Sequence, residues 1–180
     1  MFTTGLLPRQ ANRIVLRRLT IADLDAFQAY RSDPEVGQYQ GWAPMSEVEA
    51  RGFLAEMEKT ELFSPGKWSQ IAIADSLTNH LLGDIGICLS GDQCEVEIGF
   101  TLSSSHQGKG LASEAVGEAV NLIFEQTQAL LVKGITDSRN LRSMNTLARV
   151  GMRRAEVVQT TFRGAPCTEF VYLIRRSPDG

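Results

Sequence analysis

A run of small and polar residues between Phe100 and Glu114 has the composition of a phosphate-binding turn. An apolar strand pattern ends there, and a helical pattern begins at Gly108 and Gly110. The first turn of a helix exposes backbone N–H groups without partners and carries partial positive charge. Glycine lacks a Cβ atom, so an anion can approach its backbone closely. We therefore predict a phosphate site; the alternative is an ordinary turn at the start of a helix.

Two common nucleotide motifs do not fit this turn. A P-loop requires Gly-x-x-x-x-Gly-Lys followed by Ser or Thr, but Gly110 follows Lys109, and Ser103 stands where the first glycine belongs. The dinucleotide fingerprint Gly-x-Gly-x-x-Gly needs a third glycine, and this chain has Ser113 there. ATP, GTP and NAD are therefore disfavoured as ligands.

The turn resembles the coenzyme A-binding motif of the GNAT superfamily. Gln107-x-x-Gly110-x-Ala112 matches the family pattern Gln/Arg-x-x-Gly-x-Gly/Ala. Other segments stand where that family has its remaining motifs: Glu97–Phe100, Asn140-x-x-Ser143 and Arg149–Met152. Three segments near the start are similar to the RimJ/RimL branch, the ribosomal-protein N-terminal acetyltransferases: Arg13–Thr20, Asp33–Val36 and Gly41–Trp42.

The resemblance implies an acetyl-CoA-dependent N-acetyltransferase that transfers the acetyl group directly within a ternary complex. It implies a protein or peptide N-terminal α-amine as the acceptor. Small-molecule amines such as amino acids, polyamines or aminoglycosides are the alternative within this class. A non-catalytic coenzyme A-binding sensor is the alternative from another class. No metal site is expected.

The resemblance also assigns residues to roles. Glu97 and Ser143 are the expected catalytic residues, and Tyr39, Trp42 and Glu97 are expected to contact the acceptor, with the helix near Glu47 to Glu58 walling its pocket. The expected cofactor-binding residues are Phe100, Thr101, Leu102, Gln107, Gly108, Lys109, Gly110, Leu111, Ala112, Ser113, Asn140 and Ser143.

Several of these roles compete with plainer ones. Glu97 could accept a proton from the amine, or it could be a structural carboxylate on an alternating strand. Asn140 could contact the cofactor, or it could cap the helix that follows, as Asn often does. Many relatives use a tyrosine of that helix as the thiolate donor. This chain has none there, which leaves Ser143 as the candidate acid.

Composition limits the remaining possibilities. The chain has 180 residues, a net charge of -3 and a 43% hydrophobic fraction, which fit one globular domain over residues 1–180. The charge argues against a nucleic-acid partner. Three dispersed cysteines, no apolar leader in residues 1–10 and no membrane-length apolar run predict a cytoplasmic protein with reduced thiols, as a monomer or homodimer.

The elements that must position these residues follow from periodicity. We predict a mixed α/β (α+β) fold, with a central twisted, mostly antiparallel sheet of about six to seven strands flanked by helices. The predicted order is strand, helices, three strands, helix, strand, helix and two strands. Ile21 is predicted to lie on the buried stripe of the first helix and Val48 on that of the second, and Trp68 is predicted as a core anchor.

Overall fold

The structure, a computed structural model, describes residues 6–177 and confirms the mixed α/β fold. One sheet of eight strands has the order β1-β2-β3-β4-β5-β6-β8-β7. The strands are β1 (Arg9–Gln10), β2 (Ile14–Arg18), β3 (Trp68–Asp75), β4 (Leu81–Leu89), β5 (Glu95–Leu102), β6 (Leu131–Asp137), β7 (Arg153–Phe162) and β8 (Ala165–Arg175). The helices are α1 (Leu24–Arg31), α2 (Pro34–Gly37), α3 (Glu47–Lys59), α4 (Leu111–Gln126) and α5 (Leu141–Arg149), with 3-10 turns at Ile21–Asp23 and Ser104–His106.

Two layers of helices cover opposite faces of the sheet. Ile71 and Ile73 of β3 belong to the core cluster that includes the buried face of α4, whereas Ala72 between them belongs to the cluster formed with α1 and α3. Successive residues of a strand point to opposite faces. The α4 side and the α1–α3 side of the sheet are therefore separate cores.

Every strand pair is antiparallel except β5–β6, which α4 connects as a parallel crossover. The β5–β6 pairing runs from Glu95 opposite Leu131 to Ile98 opposite Gly134 and then stops. Meanwhile β5 stays paired with β4 through Leu102, and β6 stays paired with β8 through Asp137. A gap therefore opens in the sheet between β5 and β6 beyond Ile98 and Gly134.

The structure corrects three of the core predictions. Trp68 is 49% exposed, because its ring lies over Gly86 at the surface of the sheet. Val48 is 80% exposed. The buried stripe of α3 consists of Ala50, Leu54 and Met57, and Val48, two residues before Ala50, lies on the opposite side of the helix. Ile21 is also exposed, because the chain there forms a 3-10 turn in which Asp23, paired with Arg17, is the buried residue.

The strand count is eight rather than the six to seven predicted, because the two residues of β1 pair with β2. Within residues 6–177, none of the helices is long and apolar enough to cross a bilayer. The sequence prediction about a leader concerns in part residues 1–5, which lie outside the described range.

The close approach of the β4 and β5 backbones beside the gap can be tested by substituting Gly83 of β4. A Cβ atom on Gly83 would overlap the carbonyl oxygen of Thr101 and lie 2.9 Å from the Cα atom of Leu102. Backbone atoms cannot rotate away as a side chain can, so we expect Gly83→Ala to lower the free energy of unfolding by about 3 kcal/mol. Urea denaturation measures this directly.

Gly99→Ala in β5 is the matched control. The Cβ position of Gly99 has no neighbouring atom within 4 Å in the described part of the chain. Its free energy of unfolding should change by less than about 1 kcal/mol. Equal losses in the two variants would contradict the close approach of β4 and β5.

Candidate functional site

The glycine turn before α4 is built to present backbone N–H groups. Gly108 and Gly110 have φ angles of +75° and +79°, in the left-handed region that favours glycine. The first bond into α4 runs from the Glu114 N–H to the Gly110 carbonyl (3.2 Å). The N–H groups just before Glu114 therefore lack intrahelical acceptors and lie at the positive end of the helix dipole.

Side chains from distant segments hold this turn in place. The Gln107 amide donates to the Leu102 carbonyl at the end of β5 (2.8 Å) and accepts from Arg142 of α5. On the other side, Arg13 donates to the Lys109 carbonyl (2.9 Å). Gln107 therefore connects the turn to both β5 and α5.

A cleft of about 640 Å³ lies beside the turn. Its wall includes ten of the twelve predicted cofactor-binding residues: Phe100, Thr101, Leu102, Gln107, Gly108, Gly110, Ala112, Ser113, Asn140 and Ser143. The structure thus brings these residues together around one space, which we call the larger cleft. Its charged lining residues are Glu35, Arg139, Arg142 and Arg149, so its net charge is positive and suits an anionic ligand.

The other two predicted cofactor-binding residues do not line the larger cleft. The Lys109 ammonium donates to the Ser105 carbonyl (2.8 Å) and so folds back onto the turn. Leu111 is buried in the core beneath α4.

A second space of about 210 Å³, the smaller cleft, lies at the gap between β5 and β6. Its walls include Ile98 and Gly99, which are neighbours on β5 and so point to opposite faces of the sheet. Five residues line both clefts, and we call them the junction residues: Tyr39, Gln40, Phe100, Asn140 and Ser143. The two clefts therefore meet at the junction residues, and the gap leads from the α4 side of the sheet toward the other face.

The start of α5 places two of the predicted site residues at the junction. Asn140 is the N-cap, and its side-chain oxygen accepts from the Ser143 N–H (3.1 Å). The capping role is thus present, and it coexists with a place on the wall of both clefts. Ser143 lies in the first turn of α5, where the helix dipole favours a nearby negative charge.

The loop after α2 supplies the other side of the junction. The Gln40 amide donates to the Phe100 carbonyl on the free edge of β5 (3.3 Å). Arg163, from the turn between β7 and β8, donates to the carbonyls of Gly37 (3.0 Å) and Gln40 (3.1 Å). The Arg139 guanidinium lies 5.7 Å from the centre of the Tyr39 ring.

Trp42 and Glu97 do not line either cleft. The Trp42 ring stacks 4.5 Å from the guanidinium carbon of buried Arg31, beneath the loop. A Glu97 oxygen lies 3.6 Å from the Lys133 ammonium, which also binds Glu95 at 2.8 Å. None of the residues of α3, all of them described, lines either cleft, so the expectation that this helix walls the acceptor pocket stays a prediction.

Two groups of charged residues line the clefts without having been predicted from the sequence. Arg142 and Arg149 lie seven residues apart on α5, with Asn145 and Thr146 between them on the cleft-facing side, and this helical spacing was a usable signal. Asp137 and Glu169 are paired across β6 and β8 and line the smaller cleft. Hydrogen bonds from Arg139 hold the pKa of Asp137 below its usual value.

Comparisons with known proteins identify relatives of the chain. A family model described as an acetyltransferase (GNAT) domain matches residues 13–153. A Bacillus licheniformis protein named "Uncharacterized N-acetyltransferase p20" is 27% identical over 143 residues, covering 79% of this chain and 80% of its own length.

Two solved structures share the fold. An acetyltransferase (GNAT family) from Bacillus anthracis has a TM-score of 0.83 at 21% identity, covering 94% of this chain and 98% of that one. A ribosomal-protein-S5-alanine acetyltransferase from Vibrio fischeri has a TM-score of 0.79 at 15% identity, covering 96% and 98%. At these identities the likeness shows the fold alone.

Proposed function

The chain belongs to the GNAT acetyltransferase family, and on that premise we propose that it acetylates the α-amine of a protein or peptide N-terminus. As a member of the family it is an N-acetyltransferase, and acetyl-CoA is its cosubstrate. The observation that supports the proposal is the meeting of two clefts at the junction residues. A thioester in the larger cleft and an amine in the smaller cleft can meet there in one ternary complex.

The larger cleft fits the polar parts of acetyl-CoA. The N–H groups between Gly108 and Ser113 offer donors to the pyrophosphate, and Arg142 and Arg149 add positive charge to the same wall. The free edge of β5 from Phe100 to Leu102 offers main-chain groups to the amide-containing pantetheine arm.

The junction supplies the groups that the transfer needs. The neutral amine attacks the thioester carbonyl and forms the carbon–nitrogen bond, and the carbon–sulfur bond breaks. The nitrogen releases one proton and the thiolate takes one up, so a hydroxyl that donates to the sulfur is reprotonated by the proton that the nitrogen releases. The Ser143 hydroxyl is the proposed donor to that sulfur, and the first turn of α5 stabilises its negative charge. Main-chain N–H groups at the free edge of β5 are proposed to polarise the carbonyl.

An α-amine is the acceptor that places the smallest demand on these groups. Its pKa is about 8, whereas that of a lysine side chain is about 10.4, so a larger fraction is neutral at physiological pH. The smaller cleft, at about 210 Å³, has room for the end of a chain rather than a large rigid molecule. The fold relative from Vibrio fischeri is named for acetylating an alanine of a ribosomal protein.

Titration of the protein with acetyl-CoA by calorimetry tests the cofactor assignment, with ATP and NAD as controls. We expect saturable one-to-one binding of acetyl-CoA alone. Thiol release is then followed with short peptides that have free N-termini, beside N-acetylated copies and small amines. Absence of acetyl-CoA binding at millimolar concentration contradicts the proposal. Binding without thiol release for any amine favours a sensor instead.

Ser143→Ala separates catalysis from binding. If the hydroxyl protonates the leaving thiolate, its loss should lower kcat about 10²-fold and leave the acetyl-CoA dissociation constant unchanged. Ser143→Thr, which keeps a hydroxyl at the same atom, should recover most of the rate. An unchanged kcat in Ser143→Ala would exclude this role.

Gln40→Ala tests whether the loop competes with the cofactor. Gln40 donates to the Phe100 carbonyl (3.3 Å), so a ligand that uses this carbonyl must displace the Gln40 amide. One hydrogen bond contributes about 1 kcal/mol net, so we expect acetyl-CoA to bind about fivefold more tightly to the variant. Gln38→Ala is the control, because Gln38 lines the same cleft without a bond to β5. Equal or weaker binding in Gln40→Ala would contradict the competition.

A further inference from the structure

We propose that the carboxylate of Glu169 binds the acceptor in its ammonium form and thereby selects a cationic primary amine, which releases one proton to solvent before its nitrogen attacks. This inference rests on the proposed function, since it assigns a residue to the acceptor side of the same site. It is carried by the position of Glu169, by its charge and by the contrast between the two clefts.

Glu169 points away from the cofactor side of the sheet. Its neighbour Phe170 packs against the core beneath α4, and Tyr172, two residues further, is buried in that core. Successive residues of β8 alternate between faces. Glu169 therefore lies on the opposite face and reaches the smaller cleft from there.

The charge of Glu169 is not balanced by a neighbour. Its cross-strand partner Asp137 is bound by Arg139 through two side-chain contacts (2.7 and 2.9 Å). Among residues 6–177, the Glu169 carboxylate has no hydrogen-bond or ion-pair partner. It is therefore the carboxylate of the smaller cleft that can accept a new cation.

The sign of the charge changes from one cleft to the other. Arg139 and Asp137 neutralise each other, which leaves Glu35, Arg142 and Arg149 on the larger cleft and, within the described residues, Glu169 on the smaller cleft. An anionic cofactor and a cationic acceptor are thus each attracted to a different side of the junction residues.

Glu97 is the rival carboxylate on the same face of the sheet. It does not line the smaller cleft, and the Lys133 ammonium lies 3.6 Å from it. Glu97→Gln is therefore a matched control for Glu169→Gln, since both changes remove one negative charge with almost no change of shape.

Two thioethers of coenzyme A test the inference without a turnover assay. S-(2-aminoethyl)-coenzyme A carries a primary ammonium two carbons from the sulfur, whereas S-ethyl-coenzyme A is its neutral counterpart. We expect the wild-type protein to bind the aminoethyl form about tenfold more tightly, because hydrogen bonds to a charged group are the stronger ones. Calorimetry should show this preference abolished in Glu169→Gln and retained in Glu97→Gln.

S-ethyl-coenzyme A separates the possible failures. It should bind all three proteins equally, which also shows that the variants fold. Equal binding of both thioethers by the wild type overturns the inference and leaves the cofactor assignment intact. The inference is also overturned, with the cofactor assignment intact, if Glu169→Gln keeps the preference for the aminoethyl thioether or if Glu97→Gln loses it. Failure of the wild type to bind either thioether overturns the proposed function and this inference together. Should Glu169→Gln unfold, Glu169→Ser gives the same comparison.

Discussion

β5 and β6 are hydrogen-bonded as far as Ile98 and Gly134, and they separate beyond that pair. A Cβ atom on Gly134 would lie 2.8 Å from the Leu147 side chain, so α5 packs directly against the backbone at the point of separation. Because β6 continues with β8 while β5 continues with β4, the separation leaves one edge of β5 without a strand partner. The proposed site depends on this edge, since a fully paired sheet would offer neither free main-chain groups nor a way from one face to the other.

Two different physical means position the two sides of the gap. On the side proposed for the cofactor, the local backbone presents the binding groups, through two left-handed glycines and the exposed N–H groups before α4, while Gln107 and Arg13 anchor the turn. On the side proposed for the acceptor, long-range side-chain contacts position the loop after α2. Arg163 reaches the loop after α2 from the last hairpin, and Arg139 both neutralises Asp137 and lies over the Tyr39 ring. Substitutions at such arginines are therefore expected to act on the acceptor side without altering the glycine turn.

This difference between local and long-range contacts explains which parts of the site could be predicted from the sequence. The glycine turn and the cap at Asn140 are local, so their residue types and spacing predicted both. Glu169 could not be found in this way, because it enters the site only through its register with Asp137 across β6 and β8, 32 residues apart in the chain. Trp68 was misplaced for a related reason: an aromatic residue in a strand is predicted to be buried by its type, but Trp68 is the first residue of β3, where the helices on its face leave half of it exposed.

The loop after α2 shows what a buried charge can contribute besides stability. Arg31 and Asp84 form an ion pair between α1 and β4, with both side chains almost completely buried, and Tyr30 donates to the same carboxylate. A buried pair of this kind is weak evidence for stability, since desolvation offsets much of its attraction. Its guanidinium nevertheless presents a flat cationic surface on which the Trp42 ring stacks. The segment from Gly37 to Trp42 carries two junction residues, Tyr39 and Gln40. The ion pair fixes its Trp42 end, and Arg163 holds its other end through the carbonyl of Gly37. The side of the gap proposed for the acceptor is thus shaped by electrostatic contacts whose strength depends on burial, so the geometry of the junction residues depends on the packing of the α1–α3 layer.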